Sequence, residues 1–329
     1  MNASPMERVL RAFGIPGKVL DARAVGGAWS NRVWSVRTTQ HRYAVKELLN
    51  PWHDPHWREW LTEAIAFEEK AIRAGVHAPE ILRTPDDEAL VEVNRRTFRV
   101  HRWIADAEPC PSGPVPTELA SAVARDLAIA HGLRALPSRS DVFPKPTDDG
   151  WADLVVALRR AGSPYARMAE RVAPEIACVR EWFADRTVDD TSRVMSHGDI
   201  DQKNLLLAHG VPWLVDWDVA MPWSPTEEVL RTALSLAVWR ERPVVRTFFA
   251  AYQDAGGMPP DPTPELFSLD LVIGIDWLDR CLRIASGLQD ASQHRIDEAH
   301  HEARRGLHQL PARVAIAGDF PGWLAAEAP

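Results

Sequence analysis

The stretch Ser196-His197-Gly198-Asp199-Ile200-Asp201-Gln202-Lys203-Asn204 packs a His, two Asp, a Lys and an Asn together, and Asp216 and Asp218 follow shortly after. Apolar runs, Leu205-Leu206-Leu207 and Trp213-Leu214-Val215, lie between the two clusters. Charges beside apolar strands are costly without partners, so a mere connection would not be built this way. Carboxylate and carboxamide oxygens are the hard ligands that Mg²⁺ takes. A carboxylate in reach of a hydroxyl can accept or orient its proton. The spacing His-x-Asp-x4-Asn, with an Asp twelve residues after the Asn, marks a place where a metal and a reacting hydroxyl can meet.

The first hundred residues offer elements that could face such a site. After a short helix ending at Gly14-Ile15-Pro16-Gly17, residues 18–24, 31–37 and 43–48 read as strands. Between the first two lies Gly26-Gly27-Ala28-Trp29-Ser30-Asn31. Its glycines, Ser30 and Asn31 can bring N–H groups and a hydroxyl to phosphate oxygens; a plain hairpin turn is the other reading. Lys46 is the one charge in the strand core Ala44-Val45-Lys46, either aimed at a defined place or facing solvent from an edge. The helix over 57–74 has an apolar stripe of Leu61, Ala64, Ile65, Phe67, Ala71 and Ile72. Glu63 on it is the expected ion-pair partner of Lys46, with Glu59 and Glu68 as alternatives while the helical phase is open. The tryptophans and histidines of residues 51–60 read as packing under that helix rather than as a zinc site.

Strands follow over 88–93 and 97–104, then a proline-rich segment, 105–116, which reads as a hinge. A strand ending there offers backbone donors and acceptors around Arg102, Trp103 and Ile104 for an adenine edge. Beyond it the chain reads as helical over 117–133, 151–160, 166–184, 226–240, 243–255, 264–287 and 292–316, with the acid cluster on short strands in between. Asp270, Asp276, Trp277 and Asp279 share one long helix and can form an acidic, aromatic wall for a substrate. A core Trp277 with solvated acids is the plainer reading. The expected organisation is α+β, with a nucleotide-binding region over 1–104, a hinge over 105–116 and a helical region carrying the catalytic loop and substrate pocket over 117–329.

A hydrophobic share of 46% and a charged share of 26% are ordinary for a folded core. The net charge of −8 gives no general attraction for nucleic acid or anionic membranes. Cys110, Cys178 and Cys281 are too few and too widely spaced for a disulfide framework and fit free thiols in a reducing cytoplasm. No run nears the ~18 apolar residues of a membrane span.

Taken in order, these features resemble the aminoglycoside phosphotransferase and choline kinase family of small-molecule kinases. Gly26 to Asn31 looks like its phosphate loop and Tyr43-Ala44-Val45-Lys46 like its lysine strand. Leu127-Ala128-Ile129-Ala130-His131 is similar to a family helix end, His197-Gly198-Asp199-x4-Asn204 to its catalytic loop, and Val215-Asp216-Trp217-Asp218 to its metal strand. Glu228 stands where the family often has a structural acid. The resemblance implies a bilobal protein-kinase-like fold, with a small β-rich N-lobe and a larger, mostly helical C-lobe. It implies transfer of the γ-phosphoryl group of ATP or GTP to a hydroxyl of an aminoglycoside-like antibiotic, an amino alcohol or a sugar. Asp199 would serve the hydroxyl, and Asn204 and Asp216 would hold Mg²⁺. Lys46 braced by Glu63 would hold the α/β-phosphates, with Ser30 at the phosphate loop. Asp218 would support the metal or the loop, and His197 would be a hydrogen-bond post. The expected partners are nucleotide and a small acceptor, without nucleic acid or membrane, in a cytoplasmic monomer or homodimer. Asp201-Gln202-Lys203 departs from the family's His-Pro-Gly; Asp201 could face an amine or hydroxyl of the substrate, or solvent, and the triplet carries no further assigned role. A non-catalytic nucleotide-binding protein, and a protein kinase without its usual activation segment, are the competing readings.

Overall fold

The computed structural model describes residues 4–26, 31–49, 54–143, 145–146, 150–187, 192–258 and 260–326. Ser30, the expected phosphate contact, and residues 51–53 of the Trp/His segment lie outside them. The chain divides into two compact units, the first holding residues 1–143, 194–223 and 247–257, the second the remainder.

The first unit begins with helix α1 (Pro5–Ala12), whose N-terminus is closed by reciprocal bonds between Ser4 and Glu7. Strands β1 (Val19–Val25), β2 (Arg32–Thr38) and β3 (Arg42–Leu48) form an antiparallel meander. Helix α2 (Trp57–Arg73) follows, then β4 (Ile81–Leu82), β5 (Val91–Val93) and β6 (Arg96–Arg102), giving the order β1-β2-β3-β6-β4 with β5 also on β6. Strand pleating sends alternate side chains to opposite faces. Val36, Tyr43, Val45, Phe98 and Val100 meet Val9, Leu10 and Phe13 in a buried core. The intervening residues, Ala44 and Lys46 on β3 and Arg99 and His101 on β6, therefore share the other face.

The proline-rich segment over 105–116 contains a short strand, β7 (Glu108–Pro109), before helix α3 (Thr117–Gly132). The acid-bearing stretch forms β8 (Val194–Ser196), β9 (Leu205–Ala208), β10 (Val211–Leu214) and β11 (Met221–Trp223). β9 pairs with β10 and with β7, while β11 pairs with β8. The β9–β10 hairpin turns through His209 and Gly210, both at positive φ (52° and 78°), which matches the strand twist.

The second unit is helical: α4 (Trp151–Arg160), α5 (Ala166–Arg171), α6 (Ala173–Asp185), α7 (Pro225–Leu236), α8 (Arg242–Asp254), α9 (Glu265–Ala285), α10 (Gln293–Gly318) and α11 (Phe320–Ala325). Residues 247–257, the end of α8 included, count with the first unit. The single helix expected over 166–184 is two, because Pro174 has no N–H to donate and disfavours a helical Val172–Ala173 continuation. Among the described residues no helix is long and apolar enough to cross a membrane.

Phe98, 3% exposed, fills the space between sheet and α1. Phe98→Ala is expected to cost about 3–5 kcal/mol of stability, read as a lowered urea midpoint at unchanged slope.

Candidate active site

The sheet register sets the first constraint. Lys46 stands directly opposite Arg99, and Ala44 opposite His101. Like charges facing each other across strands repel, so both cations must find acids. Helix α2 supplies one. Its buried residues include Leu61, Ala64, Glu68 and Ala71, a helical stripe that carries Glu68 inward. Arg99, 0% exposed, donates to Glu68 through Nη2 and to Asp218 through Nη1. His101 Nε2 lies 2.9 Å from Arg99 Nη2 and 3.0 Å from Glu68 Oε1. Lys46 Nζ donates to Asp216 Oδ1 at 2.5 Å and to Asp218 Oδ2.

The expected Lys46–Glu63 pair is not formed. Glu63 faces the outer side of α2 and accepts from Ser138. Glu59 pairs with Arg139, and Glu68 is the buried glutamate, serving Arg99 and not Lys46. Asp218 is the hub of the arrangement. It takes Lys46, Arg99 and Asn31 Nδ2 (3.1 Å) on its carboxylate, while its carbonyl accepts from Trp60 Nε1 at 2.9 Å. Asn31 also accepts from the Leu49 N–H at 3.0 Å, which ties the start of β2 to the end of β3. Burial alone would raise the Asp218 carboxyl, but Lys46 and Arg99 more than offset it and hold it far below the usual carboxylate range. Burial likewise opposes ionisation of Glu68, and Arg99 and His101 together bring it below its ordinary value. Burial and the Arg99 charge keep His101 neutral by lowering its pKa.

The loop of residues 197–204 is positioned by its own hydrogen bonds. His197, 1% exposed, donates from Nε2 to the Val215 carbonyl (3.0 Å) and accepts the Asp199 N–H on Nδ1 (3.3 Å). That fixes one neutral tautomer and makes His197 a post for the loop. Gly198 has φ +77°, and a Cβ there would lie 2.6 Å from Trp223 Nε1, so only glycine fits. Asn204 Nδ2 donates to the Asp199 carbonyl at 2.7 Å and to Asp199 Oδ2 at 3.0 Å. The Val215 N–H donates to the Asn204 carbonyl at 3.0 Å, which sets Asp216 next along from Asn204. Asp216 is left-handed (φ 67°, ψ 47°), a conformation costly for most non-glycine residues and tolerated by Asp. Its side chain is 36% exposed and that of Asp199 22%, so both carboxylates reach solvent.

Among the described residues no three His, Cys, Asp or Glu side chains are grouped to hold a metal by themselves. Mg²⁺ does not need such a cage, since it commonly takes one or two protein oxygens and completes its shell with phosphate and water. Asn204 and Asp216 fit that requirement.

Where β6 ends, the Arg102 N–H donates to Glu80 O and the Trp103 N–H to Arg42 O. These two donors are therefore spent inside the protein, against the expectation that they serve a base. The Trp103 ring lies under the Arg42 guanidinium at 5.6 Å, and the Arg102 side chain donates to Glu80 at 2.6 Å. Glu228 is fully buried on α7, and Asp276 and Trp277 are half-buried on α9, all three in the second unit. Arg99 and His101 were not singled out from the sequence. Their signal is present in the alternation Phe98-Arg99-Val100-His101, which puts both on the face of β6 away from the apolar core.

Removing Arg99 takes the guanidinium from two buried carboxylates, Glu68 and Asp218. Arg99→Met is expected to cost about 3–5 kcal/mol. Asp218 and Glu68 have folded pKa values below their unfolded ones, so their contribution is complete above pH ~4 and is lost as pH falls below that. Urea midpoints from pH 7 to 3 should fall steeply in the wild type and less steeply in Arg99→Met.

No curated protein matches the sequence. Solved structures do match the fold: a spectinomycin phosphotransferase crystallised with ADP and spectinomycin has a TM-score of 0.74 at 12% identity, covering 95% of this chain and 99% of that one. A microcompartment-associated aminopropanol kinase gives 0.62 at 15% identity (94% and 97%), and a choline kinase from Streptococcus pneumoniae 0.60 at 15% (92% and 98%). The mixed architecture, an antiparallel sheet in the N-terminal region and helices towards the C-terminus, is that of these kinase-like neighbours. A profile of the phosphotransferase enzyme family matches residues 21–266, most of the chain and all of the acid-bearing strands. The protein belongs to that phosphotransferase family, whose fold is that of small-molecule kinases.

Proposed function

We propose that the protein transfers the γ-phosphoryl group of ATP or GTP to a hydroxyl of a small molecule. The observation that carries this reading is the convergence of Lys46, Asp199, Asn204 and Asp216 around one turn, held by hydrogen bonds that leave two carboxylates open to solvent. Asp199 accepts or orients the proton of the acceptor hydroxyl, and Asn204 fixes the rotamer in which it does so. The carboxamide oxygen of Asn204 and the carboxylate of Asp216 would hold Mg²⁺. When bound, that ion supplies charge neutralisation for the phosphate oxygens.

Lys46 is neutralised by Asp216 and Asp218 in the free protein. On nucleotide binding its ammonium turns towards the α/β-phosphates. Asp218 stays with Arg99 and keeps Lys46 in register, so it serves as a support and not as a ligand. Glu68 replaces Glu63 as the helix glutamate, acting through Arg99. Because the N–H groups of Arg102 and Trp103 are engaged, the base edge is met from Ile104 onward. The rate comes from positioning and charge placement more than from covalent chemistry.

Asp199→Asn keeps the size and the hydrogen-bonding capacity of the side chain but removes its basicity. Phosphate transfer from γ-labelled ATP is expected to fall by about 10²–10⁴-fold, with nucleotide affinity in calorimetry nearly unchanged. Full turnover in that variant would overturn the assignment of Asp199.

A further inference from the structure

The middle of the catalytic loop has a geometry that phosphate transfer by Asp199 does not require. Asp201 accepts the Lys203 N–H on Oδ1 at 2.9 Å, and residues Gln202–Asn204 form one 3₁₀ turn. Gln202 Nε2 donates to the Gly113 carbonyl at 2.8 Å, which pins the turn to the hinge segment. The turn aims the Lys203 side chain back over the loop. Its ammonium lies 2.9 Å from Asp199 Oδ2 and 3.1 Å from Asp201 Oδ2, with 60% of the side chain exposed.

We propose that Lys203 is a specificity-determining residue, a built-in counter-cation for Asp199 and Asp201 that restricts the acceptor to neutral or anionic hydroxyl compounds and disfavours polycationic amines. This rests on the reading of Asp199 as the group that meets the acceptor. Without Lys203 the two carboxylates would present two negative charges where the hydroxyl arrives; with it they present one. Each exposed pair is weak by itself, so the charge matters more than either bond. An ammonium tethered four residues from Asp199 has a high effective concentration, in the mM range for short links. A ligand ammonium must outcompete it and then sit beside the cation it displaced. Two of the α9 acids that the sequence offered as part of an acidic, aromatic wall are paired with arginines of their own unit. Asp270 accepts from Arg231 at 2.7 Å and Asp279 from Arg283 at 2.7 Å.

The test titrates nucleotide-free protein with neomycin, a polycationic aminoglycoside, by calorimetry. Wild type and Lys203→Arg are expected to bind it equally weakly, and Lys203→Gln to gain roughly two- to fivefold in affinity. In a parallel transfer assay with γ-labelled ATP, wild-type turnover should be confined to neutral or anionic acceptors. Unchanged neomycin affinity in Lys203→Gln, or phosphorylation of neomycin by the wild type, would overturn the proposal. The binding arm needs neither nucleotide nor turnover. A protein that transferred no phosphate would therefore count against the kinase reading, while the role of Lys203 would still be decided by calorimetry.

Discussion

A fully buried guanidinium, Arg99, sits opposite the Lys46 ammonium on the neighbouring strand, and everything around the acid turn is arranged to make that tolerable. Two cations on adjacent strands of one face require compensation, and Glu68, Asp216 and Asp218 provide it from two other elements. A buried ionic network of this kind is weak evidence of stability for its own sake, since well-packed apolar groups can do as well. What it fixes is position. Arg99 joins α2 to the Asp218 turn, and Lys46 joins β3 to the same turn, so the lysine strand, the helix and the acids cannot drift independently. The tilted contact of Phe67 with Trp217, 5.9 Å between ring centroids, and the Trp60 bond to the Asp218 carbonyl add apolar and polar anchors to that joint.

Below the joint, the loop of residues 197–204 is held by hydrogen bonds and one close approach. His197, edge-on to Trp217 at 4.6 Å between ring centroids, carries its hydrogen bonds to the Val215 carbonyl and the Asp199 N–H. Gly198 lets the chain pass Trp223, and Asn204 spans Asp199 and the strand before Asp216. These bonds keep the side chains of Asp199 and Asp216 in place while leaving both carboxylates partly open. A reacting site needs that combination, because pre-set geometry removes the cost of ordering the groups at the moment of reaction.

Much of this was legible in the sequence. The alternation of residues 18–48 and 97–102 gave the strands, and the spacing of Asp199, Asn204 and Asp216 singled out residues that hydrogen bonds draw into neighbouring turns. Glu68 was legible in principle, since it lies four residues after Ala64 and three before Ala71 and so belongs to the apolar stripe that excludes Glu63. Arg99 was harder, because its meaning depends on standing opposite Lys46, and strand register is a long-range property that no local pattern encodes. The end of β6 misled for a similar reason: the N–H groups of Arg102 and Trp103 look available until Glu80 and Arg42 are brought beside them by the fold. The proline-rich segment hid a strand, β7, that exists only because β9 lies next to it.

The claim that joins these observations is that Lys46, Asn204 and Asp216 form one site for a nucleotide and its divalent ion. It is tested most directly by calorimetric titration of the protein with ATP and GTP, each with and without Mg²⁺, in the wild type and in Asp216→Ala. Binding of at least one nucleotide that Mg²⁺ strengthens in the wild type, and no longer strengthens in Asp216→Ala, is the predicted result. A wild-type protein that binds neither nucleotide in the presence of Mg²⁺, or an Asp216→Ala variant that keeps the full Mg²⁺ effect, would contradict it.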